Sequence, residues 1–165
     1  MGKVNNLYVA VNYDLGVLEK ELPFNLFNSL RGHHTTIIYI GESYDVVSIE
    51  IVLRYISICY YKFKMRVDGI YTFYDEHGYN FLAASINSLY LGRIRTSLAK
   101  AFDKAEIRYS MGFGFNPHIT FEEIVSEIDL NKKFKDFRPF ELKVESIDLV
   151  YNKKIQKRFM LKEVS

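Results

Sequence analysis

Between residues 87 and 105 the apolar residues Leu91, Ile94, Leu98, Ala101 and Phe102 recur at helical spacing, with Asn87 or Ser88 placed to cap the helix. A helix here excludes an all-β chain. On either side the pattern turns to strands: residues 65–74 and 79–86 flank the turn residues Asp75-Glu76-His77-Gly78 and predict a β-hairpin before the helix, and residues 118–122 predict a strand after it. The same succession occurs near the N-terminus. Residues 7–13 predict a strand, Asp14 caps a short helix through Leu22 that Pro23 ends, and residues 34–40 (HTTIIYI) form a β-branched, aromatic strand that closes on Gly41. Ser43 or Asp45 then starts a helix to about Tyr61, although the alternation Ile49, Ile51, Leu53, Tyr55 also suits a strand. A Gly-rich aromatic loop (MGFGFNP, 111–117) precedes the strand at 118. After it come a polar stretch through Asp136, one strand over residues 140–151 and a last strand over 157–162 that returns after Asn152-Lys153-Lys154. Strand-helix-strand twice over predicts an α+β domain with mainly antiparallel sheet.

The chain has 165 residues, enough for one domain spanning 1–165, and no linker, low-complexity block or repeat divides it. With 48% hydrophobic residues and few Gly and Pro it can bury a full core, which excludes a disordered or collagen-like chain. A formal charge of +2 gives no grip on long duplex nucleic acid, whose binding rests on phosphate neutralisation, but leaves small anionic ligands open. Cys59, among Ile56, Ile58 and Tyr60, reads as a core thiol in a reducing compartment. No basic start with an apolar stretch opens the chain, no apolar run reaches about 18 residues, and Asn6 spoils a myristoylation signal at Met1-Gly2, so a cytoplasmic protein without membrane attachment is expected.

Two short strands share one pattern: His34-Thr35-Thr36 and His118-Ile119-Thr120, 84 positions apart. Side chains two apart on a strand point the same way, so each His shares a face with its Thr, while Thr35 and Ile119 point to the opposite face. If the two strands face a common groove, one neutral imidazole accepts the proton of an attacking hydroxyl and the other, protonated, supplies the leaving oxygen; imidazole is the side chain suited to both states near neutrality. The Thr hydroxyls donate hydrogen bonds to the non-bridging oxygens of a phosphate as charge builds there. The scheme requires neither metal nor cofactor.

At these residues the chain resembles the 2H phosphoesterase superfamily, named for two H-x-T/S motifs in an internally duplicated fold. HTTIIYIG (34–41) matches the extended first motif and NPHITF (116–121) the second. His33-His34-Thr35 also satisfies H-x-T, but only counting from His34 puts Tyr39 and Gly41 where the family has its aromatic and its Gly; His33 is read as structural. The resemblance implies two pseudo-symmetric lobes of antiparallel sheet with outer helices around a central cleft, faced by His34, Thr36, His118 and Thr120. It further implies metal-independent cleavage of phosphodiesters at or beside a ribose 2′-hydroxyl.

Within that superfamily the chain looks most like the phage anti-CBASS phosphodiesterases, which degrade cyclic di- and trinucleotide immune signals. The start LYVAVNYD, the Tyr90-Leu91 and Arg93 of the helix, and the HITF strand carry this likeness. It implies substrate contacts from Tyr8 and from a glutamate and an aromatic six residues apart, here Glu145 and Tyr151, which period two would put on one strand face. Tyr8, Tyr151 and either Phe113 or Phe115 are candidates to stack on bases, while Arg93 and Arg95 read as solvated helix charges. The expected partner is a cyclic oligonucleotide or another small nucleotide phosphodiester. The alternatives are a 2′,3′-cyclic phosphodiesterase or RNA-end processing enzyme, and an inactive nucleotide-binding form.

Overall fold

A computed structural model describes residues 4–22, 34–43, 45–111, 115–124 and 129–165. The order of elements is β1 (Val4–Val11), α1 (Leu15–Glu21), β2 (Thr35–Ser43), α2 (Val46–Cys59), β3 (Phe63–Tyr74), β4 (Asn80–Asn87), α3 (Leu89–Lys104), β5 (His118–Glu123), α4 (Leu130–Lys133), β6 (Phe140–Val144), β7 (Ser146–Tyr151) and β8 (Lys154–Met160). They build two four-stranded antiparallel sheets, ordered β2-β1-β7-β8 and β5-β4-β3-β6. The α+β architecture expected from the strand-helix-strand order is the one observed. β1-α1-β2 and β4-α3-β5 occupy equivalent places in the two sheets, each ending on an edge strand.

The helices start where the caps predict. Asp14, Asp45 and Ser88 each accept a backbone N–H of the first turn of α1, α2 and α3. α2 is a helix because its buried stripe of Ile49, Val52, Leu53 and Ile56 repeats every three to four residues; the period-two alternation there is incidental. α2 packs on β7, β8 and α3, and α3 packs on β2, so one core runs beneath both sheets. Among the described residues no helix is long and apolar enough to cross a membrane.

Three expectations are corrected. Cys59 is exposed, not a core thiol, because at 100° per residue it falls roughly 90° from the centre of α2's buried stripe. One equivalent of an aromatic disulfide reagent is therefore expected to label the native protein with no change in turnover, since Cys59 lies beside Tyr60 and Arg93 rather than with the paired motifs. Slow or absent labelling before denaturation would contradict this exposure.

The single strand expected over 140–151 is two strands in different sheets: the chain breaks at Glu145, so β6 edges the second sheet while β7 lies inside the first. β7 is buried on both faces through Val150, which gives it no alternation to read. The last strand starts earlier than expected, at Lys154, because the turn needs only Asn152 and Lys153, both with positive φ. The polar stretch before 136 also contains α4. Pro23, His33 and Phe113 lie outside the described residues.

Candidate active site

β2 and β5 are the edge strands of their respective sheets and touch each other. The two H-x-T strands, distant in sequence, therefore stand side by side. Thr35 and Ile119 are fully buried in the core, while Thr36 and Thr120 turn the other way, each on the face of its own His. His34, Thr36, His118 and Thr120 line one cleft of about 310 Å³ together with Tyr8, Tyr39 and Lys153. That volume sits at the lower end of the range for small-molecule sites.

Each imidazole has an aromatic neighbour. The Tyr8 ring lies 5.1 Å from that of His34, and Phe73 meets His118 edge-on at 5.1 Å. His118 Nδ1 is 2.9 Å from the Asn116 carbonyl oxygen. A carbonyl only accepts, so in this bond Nδ1 carries the proton and Nε2 is left for chemistry. The loop is itself tied down, since the Ile86 N–H donates to the Pro117 carbonyl at 3.0 Å.

Tyr39 was not singled out as a ligand contact, and strict alternation from Thr36 would turn it away from the cleft. A register shift between Val9 and Ala10 inserts Ile37 as an extra residue in β2, so both Ile37 and Ile38 are buried and both Thr36 and Tyr39 face out. Tyr39 is 44% exposed and its hydroxyl donates to Asn6 Oδ1 at 3.2 Å. Gly41 follows at φ +84, a left-handed conformation that a side chain would strain. The aromatic and the Gly of the extended motif thus belong to one irregular edge. Lys153 was missed as well, and only the β7–β8 pairing brings it near.

Tyr8 is only 9% exposed. Burial raises its phenol above the usual tyrosine value, as it does for Tyr71, and more strongly for Tyr13. These phenols are neutral proton donors at physiological pH. The folded state holds the three protons more tightly than the unfolded chain, so stability is untouched below about pH 10 and falls as pH rises beyond it. Urea unfolding at pH 8 and pH 11 should give a lower midpoint at pH 11, with tyrosinate absorbance growing in the unfolded limb.

Glu145 and Tyr151 do not join this cleft. Glu145 stands at the break between β6 and β7, paired with Lys143 at 3.2 Å and with Lys62 at 3.9 Å, and it lines a separate groove of about 530 Å³ with Asn12, Asp14 and Arg158. The shared strand face expected for Glu145 and Tyr151 is lost because they do not lie on one strand. Tyr8 lies opposite Val150, so Tyr151, the next residue, points to the other face and packs against the main core. Arg93 lies over the Tyr90 ring at 5.9 Å and Arg95 over Phe115 at 4.6 Å, and Phe115 itself packs on the core.

Residues 29–155 match the 2'-5' RNA ligase superfamily. No protein among the curated sequences compared with the chain matches it. Among solved structures it is similar to TT0787 of Thermus thermophilus, with a TM-score of 0.69 and 18% identity over 97% of this chain and 100% of that one. It is also similar to E. coli LigT complexed with 3'-AMP, with a TM-score of 0.62 and 14% identity over 96% of this chain and 99% of that one. E. coli LigT complexed with ATP aligns at 0.58, again with 14% identity over 96% and 99%. At these identities the likeness is one of fold.

Proposed function

The chain belongs to the 2'-5' RNA ligase superfamily, which comprises 2H phosphoesterases, and we propose that it is a phosphodiesterase that cleaves 3′–5′ bonds of cyclic di- and trinucleotides. The observation that carries this reading is the convergence of both His-Thr pairs on one cleft. In the reaction, the substrate's own 2′-hydroxyl attacks the adjacent phosphorus and the 5′-oxygen leaves. One imidazole takes the 2′-proton, the other protonates the 5′-oxygen, and the products are a 2′,3′-cyclic phosphate end and a 5′-hydroxyl end. Thr36 and Thr120 donate to the non-bridging oxygens, whose charge grows as the fifth bond to phosphorus forms. Much of the acceleration comes from holding the internal hydroxyl in line with the leaving oxygen.

The cleft over the four residues suits a single nucleotide unit. Tyr8 and Tyr39 flank it as surfaces for a ribose or a base. The near-balanced charge of the chain favours such a compact ligand over a long RNA. A second reading, hydrolysis of 2′,3′-cyclic phosphates at mononucleotides or RNA ends, draws support from the similar E. coli LigT having been crystallised with 3'-AMP.

The test is incubation in chelator with cyclic dinucleotides, cyclic trinucleotides, 2′,3′-cyclic mononucleotides and short RNA, with products identified by mass. Linear products ending in a 2′,3′-cyclic phosphate are expected from the cyclic oligonucleotides. Cleavage confined to 2′,3′-cyclic mononucleotides would install the second reading. No cleavage of any member would overturn both.

A further inference from the structure

Of the described side chains lining the cleft, Lys153 alone carries a fixed positive charge. Its place in the chain is an unusual one for a lysine. Asn152 and Lys153 are the two central residues of the β7–β8 hairpin, between the paired Tyr151 and Lys154, and both have positive φ, 49° and 65°. A two-residue turn of this hand favours Asn at the first position and Gly at the second, because a Cβ there crowds the backbone. Asn152 obeys the rule and Lys153 breaks it. Backbone strain of this kind concentrates at functional sites, where the side chain does what glycine cannot.

β7 pairs Tyr151 with Leu7, so the turn lies at the Leu7 end of the sheet, beside Tyr8 and Tyr39, and the Lys153 side chain lines the cleft from that end while His34 lies toward the Val11 end. A phosphodiester carries one negative charge, and the five-coordinate species formed on attack carries more. Two Thr hydroxyls and one protonated imidazole leave part of that charge unmatched. An ammonium group acts on phosphate as a point charge and needs no fixed donor geometry, which suits a turn tip.

We propose that Lys153 is the phosphate-binding cation of the cleft and a catalytic residue that meets the non-bridging oxygens of the scissile phosphate. The role rests on the phosphodiesterase reading, but the binding it implies can be measured without turnover. Lys153→Gly relieves the strained turn, so the melting temperature stays level or rises by about 2–4 °C, while kcat/KM falls by about 10–100-fold. Lys153→Gln falls similarly, and Lys153→Arg retains most of the rate. If Lys153 served only the turn, Gly would be its best replacement and Lys153→Gly would keep full activity.

Calorimetry with 3'-AMP and with adenosine supplies the arm independent of turnover. Lys153→Gly should weaken 3'-AMP by about tenfold and leave adenosine unchanged. If wild-type protein cleaves nothing in the panel yet binds 3'-AMP in this Lys153-dependent way, the phosphate-binding role stands, and the reaction reading falls together with the catalytic role. Full kcat/KM and full 3'-AMP affinity in Lys153→Gly overturn the inference alone. Wild-type protein that holds 3'-AMP no better than adenosine overturns it too.

Discussion

His118→Ala is expected to lower kcat/KM for phosphodiester cleavage by roughly 10²–10⁴-fold with the fold unchanged, and His34→Ala by a similar factor. Both imidazoles stand at the mouth of the cleft, on edge strands whose opposite faces, through Thr35 and Ile119, make the buried contacts. Removing either ring therefore takes away a proton-transfer group and little packing. Because one proton must leave the 2′-hydroxyl and another must reach the 5′-oxygen in the same passage, the pair acts as a unit. The double variant should fall little below the worse single one. Wild-type activity should follow a bell-shaped pH profile, and each single variant should lose one limb of it. A full rate in both single variants, measured with folding verified by circular dichroism, would remove the acid–base assignment.

The second large effect concerns stability. Asp148 is fully buried, yet it is an acid in the middle of a sheet. Its carboxylate accepts from Asn12 Nδ2, from Ser146 Oγ at 2.9 Å, and from Arg158, whose Nε is 3.2 and 3.3 Å from the two oxygens and whose Nη2 is 3.2 Å from Oδ2. Asp148 and Arg158 are direct cross-strand partners on β7 and β8. Arg158→Met leaves the buried charge with neutral donors only. Breaking such a pair from one side costs about 3–5 kcal/mol, and the lower end applies here because the Arg158 side chain is 48% exposed and water can enter.

A loss of about 3 kcal/mol corresponds to a drop of roughly 6–12 °C in Tm for a domain of this size. Adding Asp148→Asn removes the stranded charge while keeping an acceptor for Asn12 and Ser146, and should return more than half of the loss. If Arg158→Met melts within about 2 °C of wild type, the carboxylate is not held as described.

What could be read locally was read correctly where one element's own spacing carried the information. α3 follows from the 3.6-residue repeat and the Ser88 cap, and the β3–β4 hairpin from four turn residues between two strand-like runs. The placement of Thr35 and Ile119 in the core opposite the His-Thr faces follows from the two-residue period of a strand. Where a local period was broken, the reading failed. The extra residue in β2 turns Tyr39 into the cleft, and the break at Glu145 divides what looks like one strand. Glu145 and Tyr151 were paired by the family resemblance, with unbroken alternation to put them on one face; the structure sets Glu145 on a separate groove and Tyr151 against the core.

The sequence alone determined the alternation of helices and strands and the pairing of each His with a Thr, because these depend on side chains a few residues apart. Tertiary structure decided that two edge strands from different sheets meet, that Lys153 arrives beside them at the tip of a hairpin 35 residues beyond His118, and that Cys59 faces solvent. Those outcomes depend on which apolar faces bury one another across the whole chain. A local period says that a residue has a buried side, and only the packed core says what lies on the other.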